Sequence, residues 1–193
     1  MKRIAIFASG SGTNAENIVC HFKQSPVAHV QMILTNVAQA GVIARAHHLQ
    51  VHCEIFSNDD LKQQGKILSL LQLHKIDFVV LAGFLKLMPS EIISAYAKKI
   101  INIHPALLPK YGGKGMYGMR VHEAVIASGE KESGITIHHV NEKFDEGEII
   151  FTAKVSIDKN ETPETLANKI HDLEYEHFPV VIEKMMSAGM EHG

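Results

Sequence analysis

The sequence predicts a doubly wound α/β fold, a mostly parallel sheet with an antiparallel strand pair near its C-terminal end. Three observations lead there. Short continuous apolar runs alternate with segments of helical period over the first hundred residues, the pattern of parallel strands joined by right-handed crossovers. The first run, Ile4 to Ala8, passes directly into a glycine-rich turn. Later, two strand-like runs follow each other with only a turn between them, so the sheet direction becomes mixed there.

The elements follow in order. Ile4-Ala5-Ile6-Phe7-Ala8 suits a strand buried on both faces. Thr13 to Gln24 reads as a helix, Val30 to Leu34 as a strand, Gly41 to Gln50 as a helix and Val51 to Phe56 as a strand. Asp59 to His74 reads as one helix, with Leu61, Ile67, Leu68 and Leu71 on one side. Asp77 to Ala82 is the most apolar strand. Pro89 suits the first turn of the next helix, and Ile100 to Ile103 is a fifth strand. Residues 105–118 carry two prolines and four glycines and form a long loop, which in a compact domain usually serves function. Met119 to Ser128 is a helix. Gly134 to Val140 and Glu148 to Ile157 are the strand pair. Thr162-Pro163 caps and opens a last helix with Leu166, Ile170, Leu173, His177 and Val181 on a period near 3.6, which Pro179 is expected to kink or split. Without repeats, low-complexity tracts or linkers, residues 1–193 are expected to form a single domain.

Composition narrows the function classes. Hydrophobic residues make up 46% and charged residues 21%, enough apolar surface for a core and against intrinsic disorder. A formal net charge of -2 gives no global attraction to nucleic acid or anionic membrane. Thirteen histidines make the charge rise as pH falls through about 6.5. Cys20 and Cys53 are expected as buried, reduced thiols. The histidines lack metal-binding spacing, so no metal is expected. The apolar run after Met1-Lys2-Arg3 is too short for a signal peptide, and no run reaches the length of a membrane span. A cytoplasmic protein is expected.

Three strings can carry chemistry. Gly10-Ser11-Gly12-Thr13-Asn14-Ala15 turns sharply into a helix whose first amides attract an anion, a phosphate above all. The string also fits a dinucleotide fingerprint, but Leu34-Thr35-Asn36-Val37 offers no carboxylate for a ribose, which favours a single phosphate over NAD. A tight turn with a helix cap is the plainer reading. Asn102-Ile103-His104-Pro105 ends a strand where ligands bind in such sheets. Alternation puts Asn102 and His104 on one side, where an amide and an imidazole can stabilise an oxyanion; a capping Asn and a structural His are the alternative. Phe144-Asp145-Glu146-Gly147 lies in the turn between the paired strands. Its carboxylate can orient an imidazole, or it is ordinary turn chemistry.

Read together, Ala8-Ser9-Gly10-Ser11-Gly12-Thr13-Asn14, Leu81-Ala82-Gly83-Phe84-Leu85-Lys86-Leu87-Met88, Asn102-Ile103-His104-Pro105-Ala106-Leu107-Leu108-Pro109, Gly134-Ile135-Thr136-Ile137-His138 and Asp145-Glu146-Gly147 occur in this order. The chain thereby resembles, over essentially its whole length, the glycinamide ribonucleotide branch of the folate-dependent formyltransferases. The resemblance implies a Rossmann-like formyltransferase fold and transfer of formyl from 10-formyltetrahydrofolate, as cosubstrate, to the amine of glycinamide ribonucleotide in purine biosynthesis. It implies Asn102, His104 and Asp145 as the catalytic trio and Gly12, Thr13 and Asn14 as holders of the substrate phosphate. Leu85, Lys86, Leu87 and Met88, with Asn102, match the folate-binding positions, and Glu174 matches a ribose contact.

On the same basis Asp145 is expected to keep His104 protonated, the better donor to the formyl oxygen, so that activity falls as His104 loses its proton. Partners are the two small molecules, with no nucleic acid and no membrane, in a monomer or homodimer. The deformylase relatives share the trio, so hydrolysis of the formyl-folate is the alternative; the tRNA-directed relatives carry an added C-terminal domain and suit this near-neutral charge poorly. The sequence departs from the family at three places. Ala106 stands where many relatives carry Ser. Ser57-Asn58-Asp59-Asp60 lacks the usual folate-contacting Arg, with Lys62 as a stand-in, and the loop Tyr111 to Gly118 carries Lys114 near the folate tail or the phosphate.

Overall fold

A computed structural model of the chain describes residues 1–188. Seven strands form one sheet: β1 (Lys2–Phe7), β2 (Ala28–Thr35), β3 (His52–Ile55), β4 (Phe78–Leu81), β5 (Ile100–His104), β6 (Glu132–His139) and β7 (Ile149–Ser156). Their order is β3-β2-β1-β4-β5-β6-β7. The first five strands pair in parallel, and β6 runs antiparallel to both β5 and β7. The predicted mostly parallel sheet with a late antiparallel pair is therefore the observed one.

Strand alternation divides the core. Ile4 and Ile6 of β1, Ile33 of β2, Val80 of β4 and Ile101 and Ile103 of β5 pack on one face with α1 (Thr13–Phe22), α2 (Gly41–Leu49), α6 (Met119–Ala127) and α7 (Pro163–Ala188). Ala5, Phe7, Met32, Leu34, Val79, Leu81 and Ile100 face the other way, against α3 (Asn58–Lys62), α4 (Lys66–Leu73) and α5 (Ser90–Ala95). Period-two alternation sends successive side chains to opposite faces, and both faces are covered as a parallel sheet requires.

Some boundaries differ from expectation. The single helix read over 59–74 is two helices. Ser57 and Asp60 form a capping box that starts α3, whereas Gly65, at φ 78°, starts α4 in a conformation that glycine adopts freely. Pro89 caps α5 rather than opening it. Pro179 neither ends nor splits α7, which runs through it to Ala188 with Pro179 buried. Thr162 caps that helix, its hydroxyl accepting from Thr165 N at 3.3 Å. Both cysteines are free, but Cys20 is exposed on α1 and Cys53 only half-buried, so neither is the fully buried thiol expected. No helix among the described residues is long and apolar enough to cross a membrane.

Candidate active site

A cleft of about 940 Å³ opens at the carboxyl ends of the parallel strands. Its floor is the turn from β1 to α1. Gly12 precedes α1 with φ 80°, and a Cβ there would lie 2.4 Å from Val42 Cγ2, so both conformation and space demand glycine. Val42 N donates to Gly10 O at 3.2 Å, and Arg45 Nε donates to Ser11 O at 3.0 Å. Anchored on α2, the turn leaves Thr13 and Asn14 at a helix N-terminus on the wall of the cleft.

Ser9 ties this floor to the next strand. Its N–H donates to Gly83 O at 3.0 Å, and its hydroxyl accepts from Leu85 N at 3.2 Å. Leu85, Lys86 and Leu87 consequently line the cleft, while Met88 lies outside the lining, buried in the apolar layer that also holds Phe7, Phe84 and Ile92. Asn36 stands at the end of β2 where a dinucleotide site would need a carboxylate, and accepts from Ser9 Oγ at 2.7 Å.

Asn102 and His104 end β5 on one side, and the turn between β6 and β7 brings Asp145 to both. Asn102 Nδ2 lies 3.4 Å from Asp145 Oδ1, and His104 Nδ1 lies 3.5 Å from Asp145 Oδ2. The other ring nitrogen, Nε2, donates to Tyr111 O at 2.7 Å. Gly113 N donates to Asp145 Oδ2 at 2.9 Å. Gly147 lets this turn close: a Cβ there would fall 1.6 Å from His139 O, closer than any side chain permits.

Burial disfavours the charged form of both titratable groups. His104 is 3% exposed. Desolvation pushes it below the ordinary imidazole value, and the opposing pull of Asp145 and the Tyr111 carbonyl does not restore it. The expectation that Asp145 keeps His104 protonated is therefore corrected in direction: burial outweighs the carboxylate and lowers the imidazole below its ordinary value. Burial would raise Asp145, but His138, His104 and the Gly113 N–H together hold it below the usual carboxylate range.

The far wall carries Glu174, 5% exposed, whose Oε2 accepts from Asn14 Nδ2 at 2.8 Å. Burial raises its carboxyl. Asn14 Oδ1 and His122 Nδ1 are buried without a hydrogen-bond partner among the described residues; such atoms are few in folded proteins and call for an explanation.

Sequence reasoning misses three participants. His138 appears there only as the end of the string Gly134 to His138, with no role, yet it lies 3.1 Å from Asn102 Nδ2 and 3.6 Å from Asp145 Oδ1. Strand alternation opposite Asn102 is the signal that could have found it. His122 and His171, from two helices, line the cleft with no sequence signal. Lys114 also lines it, whereas Lys62 sits outside, exposed and 3.4 Å from Asp59. Among the described residues no group of three or more His, Cys, Asp or Glu is arranged to hold a metal ion.

Comparison with known proteins identifies the family. The profile of the formyl transferase family matches residues 2–182. Phosphoribosylglycinamide formyltransferase of Bacillus subtilis is 35% identical over 191 residues, 96% of this chain and 95% of that one. The chloroplastic phosphoribosylglycinamide formyltransferase of Arabidopsis thaliana is 38% identical over 94% of this chain, which spans 64% of that relative's length. The crystal structure of phosphoribosylglycinamide formyltransferase from Streptococcus pneumoniae superposes with a TM-score of 0.85 at 32% identity, covering 96% of this chain and 99% of that one.

Proposed function

The chain belongs to the formyl transferase family, and from that premise we propose that it moves a formyl group from 10-formyltetrahydrofolate to the amine of glycinamide ribonucleotide. The observation that carries this reading is one cleft that joins an amide, an imidazole and a carboxylate, Asn102, His104 and Asp145, to a helix N-terminus suited to a phosphate. Gly12, Thr13 and Asn14 take the phosphate, and Glu174 takes the ribose hydroxyls. Main-chain groups of Leu85, Lys86 and Leu87 border the folate.

The chemistry follows from the protonation states. The substrate amine attacks the formyl carbon, and negative charge grows on the formyl oxygen. Asn102 Nδ2 donates to that oxygen, giving up its long contact with Asp145 while His138 Nε2 keeps the other hydrogen. The amine must shed a proton as the new C–N bond forms. Asp145, held as a carboxylate, attracts it, and His104 Nδ1 accepts it to form an ion pair with Asp145. When the bond from the formyl carbon to folate N10 breaks, His104 returns this proton to N10. Atoms and charge balance, and no covalent enzyme intermediate is needed.

The test is an absorbance assay with 10-formyl-5,8-dideazafolate, with and without glycinamide ribonucleotide. Loss of the formyl group that requires the ribonucleotide is expected. Loss at the same rate without it would mean hydrolysis and overturn the reading.

A further inference from the structure

Two non-glycine residues of the cleft region stand at positive φ, Tyr111 at 57° and Asp145 at 58°. A bulky aromatic avoids this left-handed conformation, and where it persists the surroundings enforce it. The two residues flank one ring. The Tyr111 carbonyl oxygen is 2.7 Å from His104 Nε2, and Asp145 Oδ2 is 3.5 Å from Nδ1. A carbonyl can only accept, so Nε2 bears hydrogen whether the ring is neutral or charged.

The other end of Tyr111 is clamped as well. Its hydroxyl donates to Glu130 Oε1 at 3.0 Å, and the same carboxylate accepts from Lys110 Nζ at 2.8 Å. Glu130 lies on the short segment between α6 and β6, so this chain of contacts fixes the first residue of the glycine-rich loop to the sheet. We propose that Tyr111, clamped by Glu130, is a positioning residue for formyl transfer: its carbonyl holds His104 in the tautomer that leaves Nδ1 to exchange the proton beside Asp145. The proposal rests on the reading of the cleft given above.

The titratable groups that face His104 are Asp145 from the β6–β7 turn, His138 from β6 and His122 from α6. Asp145 favours a proton on His104, the two histidines oppose it, and none of them pairs with Nε2. Asp145 at 3.5 Å would draw the neutral ring's hydrogen to Nδ1, so the closer Tyr111 carbonyl, at 2.7 Å from Nε2, is what sets the tautomer.

Tyr111→Phe removes the hydroxyl alone, Glu130→Ala removes its acceptor, and Glu130→Gln keeps an acceptor. Two readouts apply: nitrogen NMR shifts of the His104 ring in ¹⁵N-histidine protein, and kcat and KM against pH. In the parent chain the shifts should report hydrogen on Nε2 of the neutral ring. Tyr111→Phe and Glu130→Ala should mix the tautomers and lower kcat about fivefold, the loss of one hydrogen bond. KM should move by less than about twofold, the kcat–pH profile should shift, and Glu130→Gln should restore all three.

Unchanged ring shifts and an unchanged pH profile in both disruptive variants would overturn the proposal, as would hydrogen on Nδ1 in the parent neutral ring. Should Tyr111→Phe fail to fold, Glu130→Ala decides the same question. A parent chain without transferase activity would sink the reading of the cleft, while the ring shifts would still decide the tautomer.

Discussion

Asn102 and His138 are register partners across β5 and β6, and Asn102 Nδ2 lies 3.1 Å from His138 Nε2. His138 Nδ1 donates to its neighbour's carbonyl, His139 O, at 2.8 Å. With Nδ1 committed to that carbonyl, Nε2 of the singly protonated ring presents its lone pair to the amide, which fixes which way Asn102 points. His138→Ala should leave the Asn102 amide free to rotate and lower kcat about tenfold, with little change in KM, a loss on the scale of one well-made hydrogen bond. His138→Gln, which keeps an acceptor within reach, should recover part of it. Steady-state kinetics of both variants decide the point, and equal kcat in the parent and His138→Ala would sink it.

Asp145→Asn removes charge and little else. Asn tolerates the positive φ of this position, and its side-chain oxygen still accepts from Gly113 N. The fold should survive while kcat falls about 10²–10⁴-fold, the scale of the acid–base transfer at His104 that the Asp145 charge supports. The sign of the pH dependence follows from burial. His104 must be neutral to accept a proton, and its folded value lies below 6.5. The parent kcat should therefore rise from acid pH with a midpoint below about 6.5 and level off near neutral pH, instead of falling as His104 deprotonates. A stopped assay over pH 5–8 measures this, and a kcat that declines with rising pH across this range would restore the protonated-histidine mechanism.

The sheet was legible because buried strands announce themselves. Ile4 to Ala8 and Phe78 to Leu81 have no polar residue to compete with burial on both faces. The β1–α1 turn was legible through Gly12, where both φ and Val42 exclude a side chain. Tertiary facts were not legible. The protonation state of His104 depends on how much protein surrounds it, and the expectation of a nearby carboxylate carries no measure of that desolvation. His122 and His171 reach the cleft from helices whose apolar periodicity shows which face is buried but not which cavity it borders. The break at Gly65 escapes the sequence pattern because Leu61, Ile67 and Leu71 keep one helical period across it, and all three end in the same apolar layer.

Gly12→Ala should be damaging twice over. A Cβ would meet Val42 Cγ2 at 2.4 Å, and φ is 80°. The left-handed conformation costs a non-glycine residue about 1–2 kcal/mol, and the overlap adds roughly 1–3 kcal/mol as α2 is pushed back. Since Val42 and Arg45 hold the turn, its displacement should also raise KM for glycinamide ribonucleotide more than KM for the folate. Urea unfolding gives the first effect and initial rates the second. A variant of parental stability would show that α2 yields freely and that the packing argument is wrong.

His122 should make the protein sensitive to acid. Burial, aided by His171 and His104, lowers its value to about 4, whereas an unfolded chain protonates histidine near 6.5. Between these values the unfolded state binds the extra proton. The contribution of His122 to stability is thus complete above pH 6.5 and is lost as pH falls toward 4, by up to about 1.4 kcal/mol per pH unit for one proton. His122→Leu suits the helix and removes the titration. Urea midpoints at pH 7, 6, 5 and 4.5 should decline less steeply in the variant than in the parent. Parallel declines would mean that His122 takes up its proton within the folded protein, with water or a neighbour stabilising the charge.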